Sequence, residues 1–264
     1  VSLSVPHTCI FEKEGVSGCR AGRRCACIIS FIFPIKLPAE TRSTVLIMKL
    51  ETMSDFFTAR LEGYDEHMLE EVKGCREGYG KLAEVLPENT GSLLDLGCGT
   101  GLELEEIFRR FPDLSVTGID MTASMLEKLR QKALSPRLKL ICGDYFSVDF
   151  GREAFDAAVS FQSLHHFKPK AKTELYRRIW EALRPGGVYL ECDYMAASAE
   201  EEAFYFREND RIRAEQGIPE GVFCHYDTPC TPEHQRQTLL KAGFASCGIL
   251  WKQENTTLLR AVKV

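Results

Sequence analysis

The apolar positions of this chain follow two rhythms. Short continuous runs, Ser92–Leu96, Leu114–Ile119, Leu138–Cys142, Ala157–Phe161 and Val188–Cys192, have the character of buried parallel strands. After several of them, apolar residues return every three or four positions. Leu104, Ile107, Phe108 and Phe111 form one such set, Met125, Leu126 and Leu129 a second, and Leu175, Ile179 and Leu183 a third. Each set lines one face of a helix. Strand and helix in alternation predict a parallel sheet with helices packed on it.

The flanks differ. From Met53 to Leu86 the spacing is helical, with Met68, Val72, Cys75, Tyr79 and Leu82 on one face. Leu183-Arg184-Pro185-Gly186-Gly187 predicts a turn into the fifth strand. Residues 194–230 break the rhythm with a charged helical piece, Glu200 to Gln216, and a loop containing Gly and Pro. Thr231 then caps a last helix, with Pro232 at its first position and Gly243 at its end. Two terminal strands, Cys247–Lys252 and Thr256–Val262, are joined by a short Glu254-Asn255 turn and are expected to be antiparallel.

Polar and glycine residues gather where the strands end. The first strand breaks into Gly97, Gly99 and Gly101 directly before a helix. Glycines let backbone approach a ligand, and a helix start offers unpaired N–H groups to a negative group. Leu102 stands where a dinucleotide fingerprint needs glycine, and the Gly-Lys-Ser/Thr of a phosphate loop is missing. Asp120 lies 19 residues beyond Gly101, placed to accept hydrogen bonds from ribose hydroxyls; its simpler role is a charge at a helix start. Thr122 can cap the helix that follows. The third strand closes in Gly143-Asp144-Tyr145, and the fourth runs into Gln162-Ser163-Leu164-His165-His166-Phe167. In an open parallel sheet, ligands collect at these carboxyl ends.

Composition narrows the reading. At 264 residues, 44% hydrophobic and 27% charged, the chain has room for one large globular α/β domain with extensions. Net charge is −5, split as +3 over residues 1–47 and −8 over the rest, and an acidic body argues against nucleic acid as a partner. Eleven cysteines form no disulfide framework: Cys98, Cys142 and Cys192 read as small buried residues of an intracellular protein. Cys25-x-Cys27 and Cys224-His225 lack the spacing of a metal site, so no metal is expected. Arg20, Arg23 and Arg24 precede an apolar run, Cys27 to Ile35, that is too short to span a bilayer, which needs about twenty residues. Residues 1–47 are therefore expected to be a non-native or poorly ordered leader, with the domain over 48–264.

Asp95-x-Gly97-x-Gly99-x-Gly101, Asp120, Gly143-Asp144, Leu164-His165-His166, Leu-Arg-Pro-Gly-Gly and a terminal hairpin occur in this order over residues 50–264. The series resembles the class I S-adenosylmethionine (SAM)-dependent methyltransferases. The resemblance implies an α/β fold: a seven-stranded, mostly parallel, doubly wound Rossmann-like sheet with an antiparallel last strand and helices on both faces. It implies that Asp95, Leu96, Gly97, Cys98, Gly99 and Gly101 line the cofactor, with the glycines at its methionine end. Asp120 and Met121 would meet the ribose, Gly143, Asp144 and Tyr145 the adenine, and Ser160 and Phe161 the floor near the sulfonium. The family often has asparagine where Phe161 stands.

In the same way residues 48–90 would cover the site, with Tyr64 and Tyr79 facing it. His165, beside His166, and Tyr194 are the candidates on the substrate side, under a roof formed by 194–230. No catalytic residue is assigned, because methyl transfer is an in-line displacement that depends on alignment and exclusion of water, although an oxygen or nitrogen acceptor can require a base. The expectation is a cytoplasmic methyltransferase acting on a small molecule, a monomer or homodimer without a membrane partner. Residues 194–230 and the tail Leu250-Trp251-Lys252-Gln253 with Leu258 to Lys263 also look like carboxy-SAM synthases of wobble-uridine tRNA modification. Such an enzyme needs a cation for its carboxylate donor, for which Arg211 and Arg213 are candidates. A SAM-binding protein without catalysis is the remaining reading.

Overall fold

The chain's architecture follows from which faces of its strands are apolar. The computed structural model describes residues 49–264, so the leader expected over 1–47, and Met48, lie outside the described residues. Five parallel strands, β1 (Ser92–Leu96), β2 (Ser115–Asp120), β3 (Leu138–Cys142), β4 (Phe155–Phe161) and β5 (Leu183–Tyr194), are joined to β6 (Ser246–Gln253) and β7 (Thr256–Val262) in the order β3-β2-β1-β4-β5-β7-β6. Only β7 runs antiparallel, paired with β5 on one side and β6 on the other. This is the seven-stranded sheet that the resemblance implied.

Successive strand residues face opposite sides, and each side has its own core. Leu93, Val159 and Leu190 pack under α3 (Cys75–Val85), α4 (Leu102–Arg110) and α5 (Ala123–Gln131). Leu94, Ala158 and Tyr189 pack under α6 (Pro169–Ala182) and α8 (Pro232–Ala242). Fully burying one such aliphatic side chain contributes about 1.5–3 kcal/mol. Among the described residues no helix is long and apolar enough to cross a membrane.

Three sequence expectations change. The helical stretch before the sheet is three helices, α1 (Met53–Ala59), α2 (Tyr64–Glu70) and α3, because Gly63 and Gly74 adopt φ of 80° and 84° and end each turn. The Leu-Arg-Pro-Gly-Gly segment belongs to strand β5: Leu183 pairs with Phe155, and a register irregularity follows before Val188. Cys142 is exposed rather than buried, because it ends β3 at the edge of the sheet. The last helix keeps its expected cap, with the Thr231 hydroxyl accepting from His234 N. The helix α7 (Ala199–Glu215) and the loop after it fill the 194–230 region.

Candidate functional site

Between β1 and β4 the strand order reverses, which opens a crevice at the carboxyl ends of the strands. The glycine loop lies there. Gly97 and Gly101 have φ of 77° and 78°; a Cβ at Gly97 would stand 2.1 Å from Ser163 Oγ, and one at Gly101 2.4 Å from Leu129 Cδ1. A Cβ at Gly99 would meet only its own loop carbonyl at 3.9 Å, so its outer side is free for a ligand. Tyr64, Tyr79, Glu103 and Phe161 complete the lining of this cleft, with Tyr79 stacked on Phe161 at 4.0 Å.

Asp95 and Glu103 are the electrostatic centre of the cleft. Both are buried, and neither Asp95 oxygen nor Glu103 Oε1 has a hydrogen-bond partner. Burial, and then the charge of Asp120, push the Asp95 carboxyl up to about 7, against a relieving contact with Glu103. Burial and the Asp95 charge raise Glu103 well above its ordinary range. Two buried carboxyls in this position disfavour the doubly ionised state.

Asp120 ends β2. Its Oδ2 accepts from Gly99 N at 3.0 Å and its Oδ1 from Thr122 N at 2.7 Å, so it ties the glycine loop to the start of α5. Burial raises its pKa, and these backbone donors oppose the rise. The Thr122 side chain makes no capping bond, so Asp120 does that work. Across the sheet, Asp144 Oδ1 accepts from Phe146 N at 2.8 Å, and the Tyr145 hydroxyl lies 3.2 Å from Ser163 Oγ. Met121 stands next to Asp120, its carbonyl 3.9 Å from Cys142 Sγ, and Gly143 N donates to the Asp120 carbonyl. Over the cleft, Asp65 of α2 accepts from Thr100 Oγ1 at 2.6 Å and faces Lys128 and Lys132 at 3.3 and 3.1 Å. The helical cover is thereby fastened to the loop it shields.

A second cluster lies beyond β4 and β5. Gln162 turns the chain there with φ of 47° and is held by Tyr194 N and Thr256 Oγ1. His165 Nδ1 lies 2.6 Å from Asp193 Oδ1, and Asp193 Oδ2 also accepts from Leu164 N. Asp227, from the loop before α8, stands 3.6 Å from His165 Nε2 and 3.2 Å from His166 Nδ1. Burial lowers the His165 pKa, but Asp193 and then Asp227 outweigh it and the net shift is upward. Burial and the neighbouring His165 lower His166. Tyr194 meets the edge of His165, and its hydroxyl donates to Glu201 and Tyr205 of α7.

Residues 93–187 match a methyltransferase domain family. The matched stretch runs from β1 into β5 and contains the glycine loop. Trans-aconitate 2-methyltransferase of Deinococcus radiodurans is 36% identical over 108 residues, 40% of each chain. The carboxy-S-adenosyl-L-methionine synthase of Wolinella succinogenes is 27% identical over 190 residues, 67% of this chain and 78% of its own. Phosphoethanolamine N-methyltransferase 2 of Haemonchus contortus, in complex with S-adenosyl-L-methionine, shares the fold with a TM-score of 0.60 at 18% identity, over 81% of this chain and 60% of its own. The chain thus spans 40% of the length of its Deinococcus relative.

The sequence-predicted residues divide. Gly97, Cys98, Gly99, Gly101, Phe161, Tyr64 and Tyr79 meet around one cleft, with Asp95 and Leu96 buried in the strand beneath. Ser160 turns the other way: it is buried on the opposite face of β4, with its hydroxyl 2.7 Å from that of Tyr189. Exposed Arg211 and half-buried Arg213 are already paired, Arg211 with Glu208 and Glu215, Arg213 with the carbonyls of Val222 and Pro219. Glu103, Asp193 and Asp227 were missed. Glu103 had a signal, an acidic residue two positions past the last glycine on the first turn of a helix; the other two are brought in by the fold.

Proposed function

We propose that the cleft binds SAM and that the protein, in the cytoplasm, transfers its methyl group to a small-molecule acceptor. The observation that carries this reading is the Asp95–Glu103 pair: two buried carboxyls that form no ion pair among the described residues, beside a helix start that no side chain caps. Such a pairing suits a ligand end that bears both an ammonium and a carboxylate, as an amino acid does. The rest of the cleft is compatible with a nucleoside. Asp120 uses two of about four acceptor positions on backbone donors, which leaves the others for two hydroxyls. Asp144 commits only one oxygen to its own turn.

When bound, SAM supplies a methyl carbon on a sulfonium, open to in-line displacement. The residues of this chain have the simpler tasks of alignment and exclusion of water. Tyr79 and Phe161 give the cleft an aromatic wall, and the Asp65 contacts hold the cover over the loop. The acceptor side would then be bounded by His165, Tyr194 and the 194–230 segment. The two arginines that the carboxy-SAM synthase reading called on are engaged elsewhere, Arg211 with Glu215 and Arg213 with the Val222 carbonyl.

Titration calorimetry on the full chain tests the reading, with one SAM site per chain expected. Binding of a nicotinamide dinucleotide instead of SAM would overturn it. Methyl-labelled SAM, screened against oxygen, nitrogen and carbon acceptors, then reports transfer. Tight binding with no transfer to any acceptor would reduce the protein to a SAM-binding one.

A further inference from the structure

We propose that His165, His166 and Asp227 form a binding site for one divalent transition-metal cation of the zinc class. Three atoms converge here: His165 Nε2, His166 Nδ1 and Asp227 Oδ1, all within 4.8 Å of one another. His165 Nδ1 faces Asp193 Oδ1 at 2.6 Å, which assigns the proton to Nδ1 and leaves Nε2 with its lone pair. That lone pair looks at a carboxylate oxygen 3.6 Å away, too far for a hydrogen bond. His166 Nδ1 lies 3.2 Å from the same oxygen and has no hydrogen-bond partner, although its side chain is only 3% exposed. An unpartnered, buried imidazole nitrogen and a carboxylate aimed at one point call for a cation between them.

The spacing fits such an ion. Tetrahedral zinc with ligands at about 2.0–2.1 Å sets neighbouring ligand atoms about 3.3–3.4 Å apart. The two edges to Asp227 measure 3.2 and 3.6 Å. The imidazole rings of His165 and His166 lie 4.0 Å apart with a tilt of 52°. Two imidazoles and one carboxylate make a donor set for zinc or ferrous iron rather than for calcium or magnesium. The site also has the outer support that bound metals need, since Asp193 fixes the tautomer and orientation of His165. Asp193 is itself held by the N–H groups of Leu164 and Tyr194. Half-exposed Asp227 provides the way in. Three protein ligands leave a fourth position open.

The other cluster of ligand-type groups, Glu202, Cys230 and His234, is already satisfied. Glu202 accepts from Thr231 N and pairs with His234 Nδ1, and Cys230 Sγ lies 3.8 Å from Lys172 Nζ. It serves as the internal control.

The test uses the full chain, freed of metal by chelation and titrated with zinc chloride without SAM. One equivalent should bind, and cobalt(II) should give the visible absorption of a tetrahedral site. Asp227→Asn and His166→Ala should each lower zinc affinity at least 100-fold, and Asp193→Asn 10- to 100-fold through His165. His234→Ala should leave it unchanged. Asp227 lies on a loop, so Asp227→Asn keeps the test valid should His166→Ala fail to fold. Absence of stoichiometric zinc binding, or binding lost with His234 and kept in Asp227→Asn, would overturn the proposal. Zinc is read here without the cofactor, so the result is independent of the SAM reading.

Discussion

Asp95→Asn should stabilise the ligand-free protein at pH 8 and weaken its hold on SAM. In the folded chain Asp95 is fully buried with its pKa raised from 3.8 to about 7, while the unfolded chain has an ordinary carboxyl. Between those values the folded state keeps a proton that the unfolded state has released, so stability falls as pH rises through the window. The loss is complete above pH 7 and amounts to on the order of 4 kcal/mol. Asparagine carries no charge and escapes it, but its buried amide needs a partner, an offset of about 1–3 kcal/mol. A net gain of about 1–3 kcal/mol remains at pH 8, worth roughly 2–4 °C in Tm per kcal/mol for a domain of this size. The gain should shrink as pH falls towards 4.

Ligand binding should move the other way. Losing a charge-assisted contact to the ammonium costs about 1.5–3 kcal/mol, or about 10- to 150-fold in Kd. Methylthioadenosine has no amino-acid end and should bind both proteins alike. In the unmodified protein SAM affinity should rise about tenfold between pH 5.5 and 7, as Asp95 ionises, and fall above about pH 8, where the ligand's own amino group loses its proton. Melting at pH 5 and pH 8, with calorimetry on both ligands, reads all of this. A variant that is less stable at pH 8, or that weakens the two ligands equally, would refute the reasoning and make Asp95 a structural residue.

Two further substitutions separate holding the loop from holding the ligand. Asp120→Ala removes the acceptor for Gly99 and Thr122 N–H, so ligand-free stability should fall by about 1–3 kcal/mol and SAM affinity by about 10²-fold; a melting shift with unchanged affinity would mean that Asp120 only shapes the loop. Asp65→Ala frees Thr100, Lys128 and Lys132, and should lower stability by about 1 kcal/mol, loosen the cover and weaken SAM several-fold. Proteolysis within residues 60–75 should quicken, and an unchanged cleavage rate would show that the cover holds without this contact.

The fold and the glycine-loop half of the candidate site were legible because their signals are local. Strand β1, its glycine loop and the start of α4 lie within one continuous stretch, so periodicity and glycine spacing sufficed to find them. Asp120 and Asp144 stood out as candidates because one ends a strand and the other lies two residues past one. The misreadings came from tertiary context. Helical spacing persists across Gly63 and Gly74, yet their left-handed conformations break the helix. Ser160 and Phe161 are neighbours in sequence, and the alternation of a strand sends them to opposite faces, where Ser160 finds Tyr189 and Phe161 finds Tyr79.

The proposed acceptor half follows a different logic. Its residues come from three separate places: His165 and His166 after β4, Asp193 near the end of β5, and Asp227 on the loop between α7 and α8. No spacing rule links Asp227 to a histidine 61 positions earlier (227 − 166), and Asp193 reads in sequence as one more polar residue at a strand end. Only the parallel pairing of β4 with β5 brings the imidazole of His165 against Asp193. The two halves are therefore separable. Asp95, Gly99 and Asp120 sit on the rigid β1–β2 half of the sheet, whereas Asp227 and Tyr205 are presented by the α7 helix and the loop that follows it. A change in the length or sequence of that loop can alter what stands opposite His165 and leave the cofactor cleft as it is. Loop variation on a fixed sheet is how one α/β scaffold comes to serve many acceptors.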